Sequence, residues 1–348
     1  MRAKLNKLGK MIRNFIIFIA LIILTFKILF KDQDVNSIFV EVSKVNKIYI
    51  LVSVLAMSIY VLCETSNVTR ILNSLNEKSS FLKNIEYVLI GFFFSGITPA
   101  ATGGQPMQIY FMHKENISVA KSSLALLMQL TSMQFATITL ALIGVIFNYK
   151  YMNKALKIFF VIGILLNACA LALLLLSIYS KALLNKIIDF IIKVMEKLRI
   201  KNVDKKEEKL RDEIKKYQDG CKYIKTHKSV MVKTVVTAFI QYISLYSITY
   251  WVYRSFGLNE KNIVQIIFTQ AVLYGSVSGI PSPGAVGVTE GGFIEIFKTI
   301  IPENFIKSAV ILNRGVNFYL LMVIGGIITI INTLKEKKEK KEIKQIEE

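Results

Sequence analysis

Cysteine and histidine are close to absent, at three and two in 348 residues. Cys63, Cys169 and Cys221 lie far apart without a C-x-x-C, and neither His113 nor His227 has a partner at metal-ligand spacing. Zinc ligation and a disulfide framework are therefore not indicated, and the cysteines read as small core residues. A P-loop, a G-x-S-x-G elbow and a dinucleotide fingerprint are also lacking, so no metal, cofactor or nucleotide drive is expected. Acidic residues are few beside basic ones, 24 against 44, for a net charge of +20. With no nucleic-acid fold or aromatic–basic interleaving, direct nucleic-acid binding is not expected.

What is present is apolar sequence, 53% of the chain at a mean hydropathy of +0.49. Runs long enough to cross a bilayer, about 20 residues each, are Met11–Phe30, Ile48–Thr65, Leu124–Phe147, Ile158–Tyr179, Val230–Tyr253 and Ala309–Ile331. Two shorter runs, Ile85–Ile97 and Ile263–Ile280, read as half-helices of hairpins. The fold class is thus an all-α polytopic membrane bundle of about six crossings and two re-entrant or broken-helix hairpins, with an inverted repeat hinted at. Eight plain crossings satisfy the same parity. Met11–Phe30 follows Arg2, Lys4, Lys7 and Lys10 and carries Arg13 near its start, but lacks a small-residue cleavage pattern, so it reads as a retained helix.

Basic loops stay cytoplasmic. The stretch from Lys181 to Lys233 carries 16 Lys and Arg against 8 Asp and Glu, and the tail from Lys335 carries six Lys. Both, with the N-terminus, are expected in the cytoplasm of a bacterial cell membrane. The membrane domain then covers residues 1–334, with a basic helical loop at 181–230, and 335–348 is a charged tail. Ile187, Ile188, Ile191, Ile192, Met195 and Leu198 fall at helical spacing in that loop. The charge run 205–216 reads first as a solvated face and second as an attraction to anionic headgroups.

Proline is scarce as well, and four of the five prolines sit in two glycine-rich breaks, Gly96–Pro106 and Gly279–Gly292. Non-helical backbone at membrane depth survives only where protein buries it or where it lines a wet cavity. Pro99, Pro106, Pro281, Pro283 and Gly284 read as the structural breaks, with Gly103, Gly104 and Gly287 giving tight turns or close ligand approach. Gln105, Thr98, Thr102, Ser282 and Thr289 could supply neutral hydrogen bonds. Glu290 faces a cation or caps the half-helix. Arg314 takes a phosphate bidentately, snorkels to the interface, or pairs with Glu290 or Glu295. Arg70, Arg254, Lys114 and Glu64 read as interfacial anchors unless the fold carries them to the breaks. Phe92–Phe94 and Tyr110–Phe111 read as lipid-facing.

P-A-A-T-G-G-Q-P at Pro99–Pro106, P-S-P-G-A-V-G-V-T-E-G at Pro281–Gly291 and the late Arg314 resemble the transmembrane region of the lysylphosphatidylglycerol synthases, or multiple peptide resistance factors, and their stand-alone relatives. The resemblance runs from about Phe15 to Thr333; the proline usual in the helix after the late arginine is missing here. It implies a membrane part that flips lysyl-phosphatidylglycerol, so countering cationic peptides, and a soluble part that transfers lysine from lysyl-tRNA to phosphatidylglycerol. The chain ends soon after its last apolar run, so no acyltransferase domain is expected within it. The substrate-binding candidates, read from the breaks and charges above, are Glu290, Arg314, Gln105, Thr289, Gly103, Gly104 and Gly287; catalytic residues are not identified. Phospholipid is the expected partner, with a separate lysyltransferase protein and a second copy of the chain as further candidates. Two alternatives stand: phosphatidylglycerol lysyltransferase activity, and transport of another glycolipid or polyprenyl-phosphate lipid.

Overall fold

A computed structural model describes residues 35–98, 101–149, 152, 154–180, 186, 189, 203–278 and 285–347. Among them it is all helix: α1 Val35–Lys44, α2 Lys47–Ser74, α3 Phe81–Gly96, α4 Gly104–Lys114, α5 Val119–Asn148, α6 Lys154–Tyr179, α7 Val203–Thr226, α8 Lys228–Ser255, α9 Ile263–Val277, α10 Val288–Phe297, α11 Glu303–Arg314 and α12 Leu320–Glu347. A single π turn, Gly315–Tyr319, joins α11 to α12. Starts are set by short polar side chains: Asn46, Ser80 and Asn262 accept the N–H groups of Ile48, Lys83 and Gln265 at 3.0, 3.2 and 2.9 Å.

Five helical stretches among the described residues are long and apolar enough to cross a membrane: Lys47–Ser74, Val119–Asn148, Leu156–Ile178, Lys228–Ser255 and Glu303–Lys335. The protein is therefore a multi-pass membrane protein. The run Met11–Phe30 and the apolar spacing at 187–198 lie outside the described residues. On α2, Ile48, Leu51, Leu55, Ile59 and Leu62 form an exposed stripe at helical spacing, while Ser53, Thr65 and Asn67 on the same helix are buried. Lipid is as apolar as leucine, so burying leucine gains little, whereas a polar side chain must find its partner inside the protein.

The centre is the antiparallel pair α2 and α8. Asn46 N–H donates to Ser255 O at 2.9 Å, Ser244 Oγ to Ala56 O at 2.8 Å, and Asn67 Nδ2 to Thr234 O at 3.1 Å, so the pairing runs the length of both helices. Around this pair the chain repeats itself. α3, its break and α4 lie between α2 and α5 in the chain; α9, its break and α10 lie between α8 and the α11–α12 rod. One constant offset in sequence carries Ala101, Gly103 and Val119 onto Ala285, Gly287 and Glu303, and both alanines take left-handed φ, 55° and 52°. The packing follows the same exchange, since α3 lies on α12 and α9 on α5. Close approach on the second flank uses small residues: a Cβ on Gly163 would strike the Gly275 and Ser276 carbonyls.

The charge run 205–216 falls in α7, one face of which is packed: Tyr217, Cys221 and Ile224 are buried, and Tyr217 OH donates to Ser177 O at 3.1 Å. Glu213 of α7 caps α5, its Oε2 accepting Ala120 N–H at 2.9 Å and Ser118 Oγ–H at 3.3 Å. Partial burial raises this carboxyl, but the Ala120 N–H, then Lys216 and Ser118, outweigh it and hold Glu213 below the ordinary carboxylate range. A depressed folded value means the cap is fully present above the unfolded carboxyl's value and is lost as pH falls through the folded one. Acidification through that range should therefore loosen α7 from α5, read as faster amide exchange at Ala120. Glu213→Gln should remove the pH dependence; retention of it in that variant would assign it elsewhere.

Candidate functional site

Each break re-enters a helix two residues after a left-handed alanine, but Gly103 stands at φ −86° where Gly287 stands at φ 87°, and the two are closed differently. At the first, Thr98 Oγ1 donates to Phe94 O at 2.6 Å and accepts Gly103 N–H at 2.9 Å, so one hydroxyl ties the end of α3 to the start of α4. Pro99 lies outside the described residues. Pro106 stands in the first turn of α4, where its missing N–H has no intrahelical partner to lose, so it starts a helix and does not stop one. α4 folds back on α3 so closely that a Cβ on Gly104 would collide with Ser95 Oγ and the Gly91 carbonyl, and a Cβ on Gly91 with the Gln108 amide.

At the second break Ile280, Pro281, Ser282, Pro283 and Gly284 lie outside the described residues. From Gly287, at φ 87°, the chain enters α10. Glu290 Oε2 accepts Gly287 N–H at 2.7 Å, and Glu290 Oε1 accepts Arg314 Nε–H at 2.8 Å. Both residues are buried, 3% and 5% exposed. The guanidinium also lies over the Phe318 ring, 4.1 Å from its centroid. Of the paired readings from sequence, capping and internal pairing describe this geometry; Glu290 meets its cation within the protein. Thr289 is buried beside it. Arg314 is the last residue before the π turn, an insertion that occurs here without a proline and re-aims the following side chains.

Glu64 was expected at an interface, and its place in the fold corrects that reading. The apolar run ends at Thr65, but nothing in the sequence stops the helix before Leu75. Glu64 therefore sits about 26 Å along a helix about 42 Å long at 1.5 Å per residue. With α2 centred in a hydrocarbon core about 30 Å thick, that position falls inside the core. It opens into a cavity of about 190 Å³ beside the first break, shared with Tyr60, Ser95, Gly104, Gln105 and Gln108. Gln241 Nε2 donates to Glu64 Oε2 at 3.1 Å, and Gln129 Nε2 donates to Gln241 Oε1 at 3.1 Å. The fold thus brings Gly104 and Gln105 to one cavity with Glu64, and separately brings Gly287, Thr289, Glu290 and Arg314 together. Gly103 stays in the turn held by Thr98.

Between the two clusters runs a line of tyrosines. Ring centroids are 6.2 Å apart for Tyr60 and Tyr242, 5.5 Å for Tyr242 and Tyr246, and 5.1 Å for Tyr246 and Tyr274. Tyr60 stands beside Glu64, and Tyr274 feels both Glu290 and Arg314. Sequence reading missed this line because tyrosine in an apolar run looks like an interfacial residue; the spacing of Tyr242 and Tyr246, one helical turn, was the available signal.

Of the other anchors, Lys114 and Arg254 stand in the last turns of α4 and α8, while Arg70 lies just before the last turn of α2. Arg70 Nη1 donates to Asn67 Oδ1 at 2.6 Å, Arg254 donates to Tyr250 OH at 3.0 Å and to Tyr49 OH at 3.1 Å, and Lys114 lies over Tyr110 at 4.2 Å. Among the aromatics expected to face lipid, Phe94 and Phe111 are buried and Phe92 lines the cavity, while Tyr110 is exposed.

Comparison with known proteins gives a match to the profile of the lysylphosphatidylglycerol synthase transmembrane region over residues 12–325. A UPF0104 membrane protein of Pyrococcus horikoshii is 24% identical over 295 residues, covering 82% of this chain and 87% of that protein. A second, from Archaeoglobus fulgidus, is 20% identical over 305 residues, covering 86% and 91%.

Proposed function

Because this chain belongs to the family of the lysylphosphatidylglycerol synthase transmembrane region, we propose that it binds lysyl-phosphatidylglycerol or a related anionic phospholipid and moves it between the leaflets of the cell membrane, with both termini cytoplasmic. The observation that carries this reading is the pair of symmetry-related helix breaks flanking a polar interior, open at Glu64 and closed at Glu290–Arg314. Transporters built from inverted repeats place their site where two such halves meet, and rock one half against the other. The planar fork of Arg314 suits a carboxylate or a phosphate equally. A headgroup phosphate reaching it would take the place of Glu290, and that exchange would open the second half. Separating Glu290 from Arg314 without such a replacement strands two buried charges, so the closed form persists until lipid arrives.

The test is lipid analysis in a host lacking lysyl-phosphatidylglycerol, with the chain expressed beside a separate soluble lysyltransferase and outer-leaflet amines labelled by an impermeant reagent. Labelled lysyl-lipid should appear only when this chain is present, and should be lost in Glu290→Gln at normal expression. Lysyl-lipid made by the chain alone would instead establish a transferase. Unchanged labelling in both Glu290→Gln and Arg314→Lys would remove the pair from the mechanism.

A further inference from the structure

Glu64 is a carboxylate on a membrane-spanning helix, and among the described residues no cation pairs with it. No lysine, arginine or histidine lines its cavity among the described residues; the walls are Tyr60, Phe92, Leu126, Leu130 and Met133, with the amides of Gln105, Gln108 and Gln129. The hydrogen-bond chain around it has a fixed direction. Gln129 donates to Gln241 and Gln241 donates to Glu64, which also takes a hydrogen bond from the Tyr60 hydroxyl, so the network terminates on the carboxylate. Gln129, 2% exposed, also lines the cavity, and its Oε1 accepts from no protein donor. The carboxylate thus shares its space with neutral polar groups, Gln105, Gln108, Gln129 and Ser95, and with apolar and aromatic walls.

A buried acceptor without a donor, as Gln129 Oε1 is among the described residues, is costly, and a carboxylate in apolar surroundings counts as a site. A bare metal ion would need oxygen ligands all round, which apolar walls do not give. An anion is repelled. A primary ammonium on a short methylene stem matches both features: three N–H donors for Glu64 and its neighbours, and apolar walls for the stem. At about 190 Å³ the cavity has room for such a chain where a single water would leave most of it empty.

We propose that the Glu64 cavity beside the first break binds the primary ammonium of an aminoalkyl group. This deepens the lipid-transport reading and rests on it for the source of the amine, an aminoacyl headgroup whose phosphate is handled separately by Arg314. The ammonium is thus received at Glu64, and Glu290 remains the partner of Arg314.

The experiment is equilibrium dialysis of radiolabelled n-butylammonium against the full chain in nanodiscs. Wild type should bind it saturably at one site. Glu64→Gln should weaken binding at least tenfold and Gln129→Met several-fold, the second variant keeping the cavity's volume should the first misfold. Lysyl-phosphatidylglycerol added to the nanodisc should displace the probe while its N-acetylated form does not, which marks the lipid as source; displacement by free lysine alone would keep the site and assign it a soluble amine. Absent saturable binding, equal binding by folded Glu64→Gln, or equal competition by sodium or tetramethylammonium would overturn the proposal. Binding without lipid transport removes the transport reading and leaves the site; transport in a wild type that binds no amine does the reverse.

Discussion

Replacing Arg314 by alanine should destabilise the protein by about 3–5 kcal/mol, the cost of leaving one partner of a buried ion pair alone. Glu290 is 3% exposed and Arg314 5%, and the two meet at 2.8 Å. After the substitution Glu290 would keep the Gly287 N–H, but one neutral donor does not balance a charge removed from water. Truncation also strips the Phe318 ring of the guanidinium stacked on it. The double variant Glu290→Gln with Arg314→Met keeps an acceptor for Gly287 N–H, removes both charges and fills similar volume. It should regain most of the lost stability, because a buried pair and an apolar replacement are often close in energy. It should not regain transport. Reversible unfolding in mixed micelles, followed by the fluorescence of Trp251, gives the stability values. An Arg314→Ala loss under about 1 kcal/mol would mean that water reaches the pair and that the second half is not sealed.

Gly104→Ala should destabilise the first break, although alanine is the better helix former by about 1 kcal/mol. Its Cβ has nowhere to go: Ser95 Oγ and the Gly91 carbonyl already occupy the space. Overpacking of this kind costs about 1–3 kcal/mol. The backbone carbonyl cannot turn aside, so α4 must move off α3, and the cavity that Gly104 and Gln105 line with Glu64 changes shape. Loss of butylammonium binding should accompany the loss of stability. Gly291→Ala is the control from the other break, where an added Cβ meets nothing within 4 Å and the residue lies in the regular helix α10. That variant should be neutral or slightly stabilised. Equal effects at the two glycines would show that helix propensity, not the fit of α4 against α3, governs both. Adding Ser95→Ala to Gly104→Ala relieves one of the two collisions and should restore part of the stability.

The membrane class, the crossing helices and the two breaks are written in the sequence because each depends on local chemistry. Apolar runs of bilayer length need no tertiary partner to be recognised. Glycine and proline interrupt helices wherever they cluster, and an Ala-x-Gly with a left-handed alanine follows in each half at Ala101 and Ala285. Glu290 and Arg314 were also visible as charges in apolar surroundings, yet whether they face a ligand or one another could not be read from a separation of 24 residues. That depends on how the α11 rod returns across α10, and long-range packing alone sets it. Glu64 was hidden for the complementary reason. A charge near the end of an apolar run looks interfacial, and its depth became apparent only when α2 was seen to continue to Ser74. Its neighbours Gln129 and Gln241 come from α5 and α8, far along the chain, and polar side chains converge in this way because lipid offers them no partner. The sequence by itself therefore determined that this chain crosses a membrane and where proline and glycine interrupt its apolar runs. The tertiary structure decided which break is sealed by an ion pair and which is left open around a carboxylate.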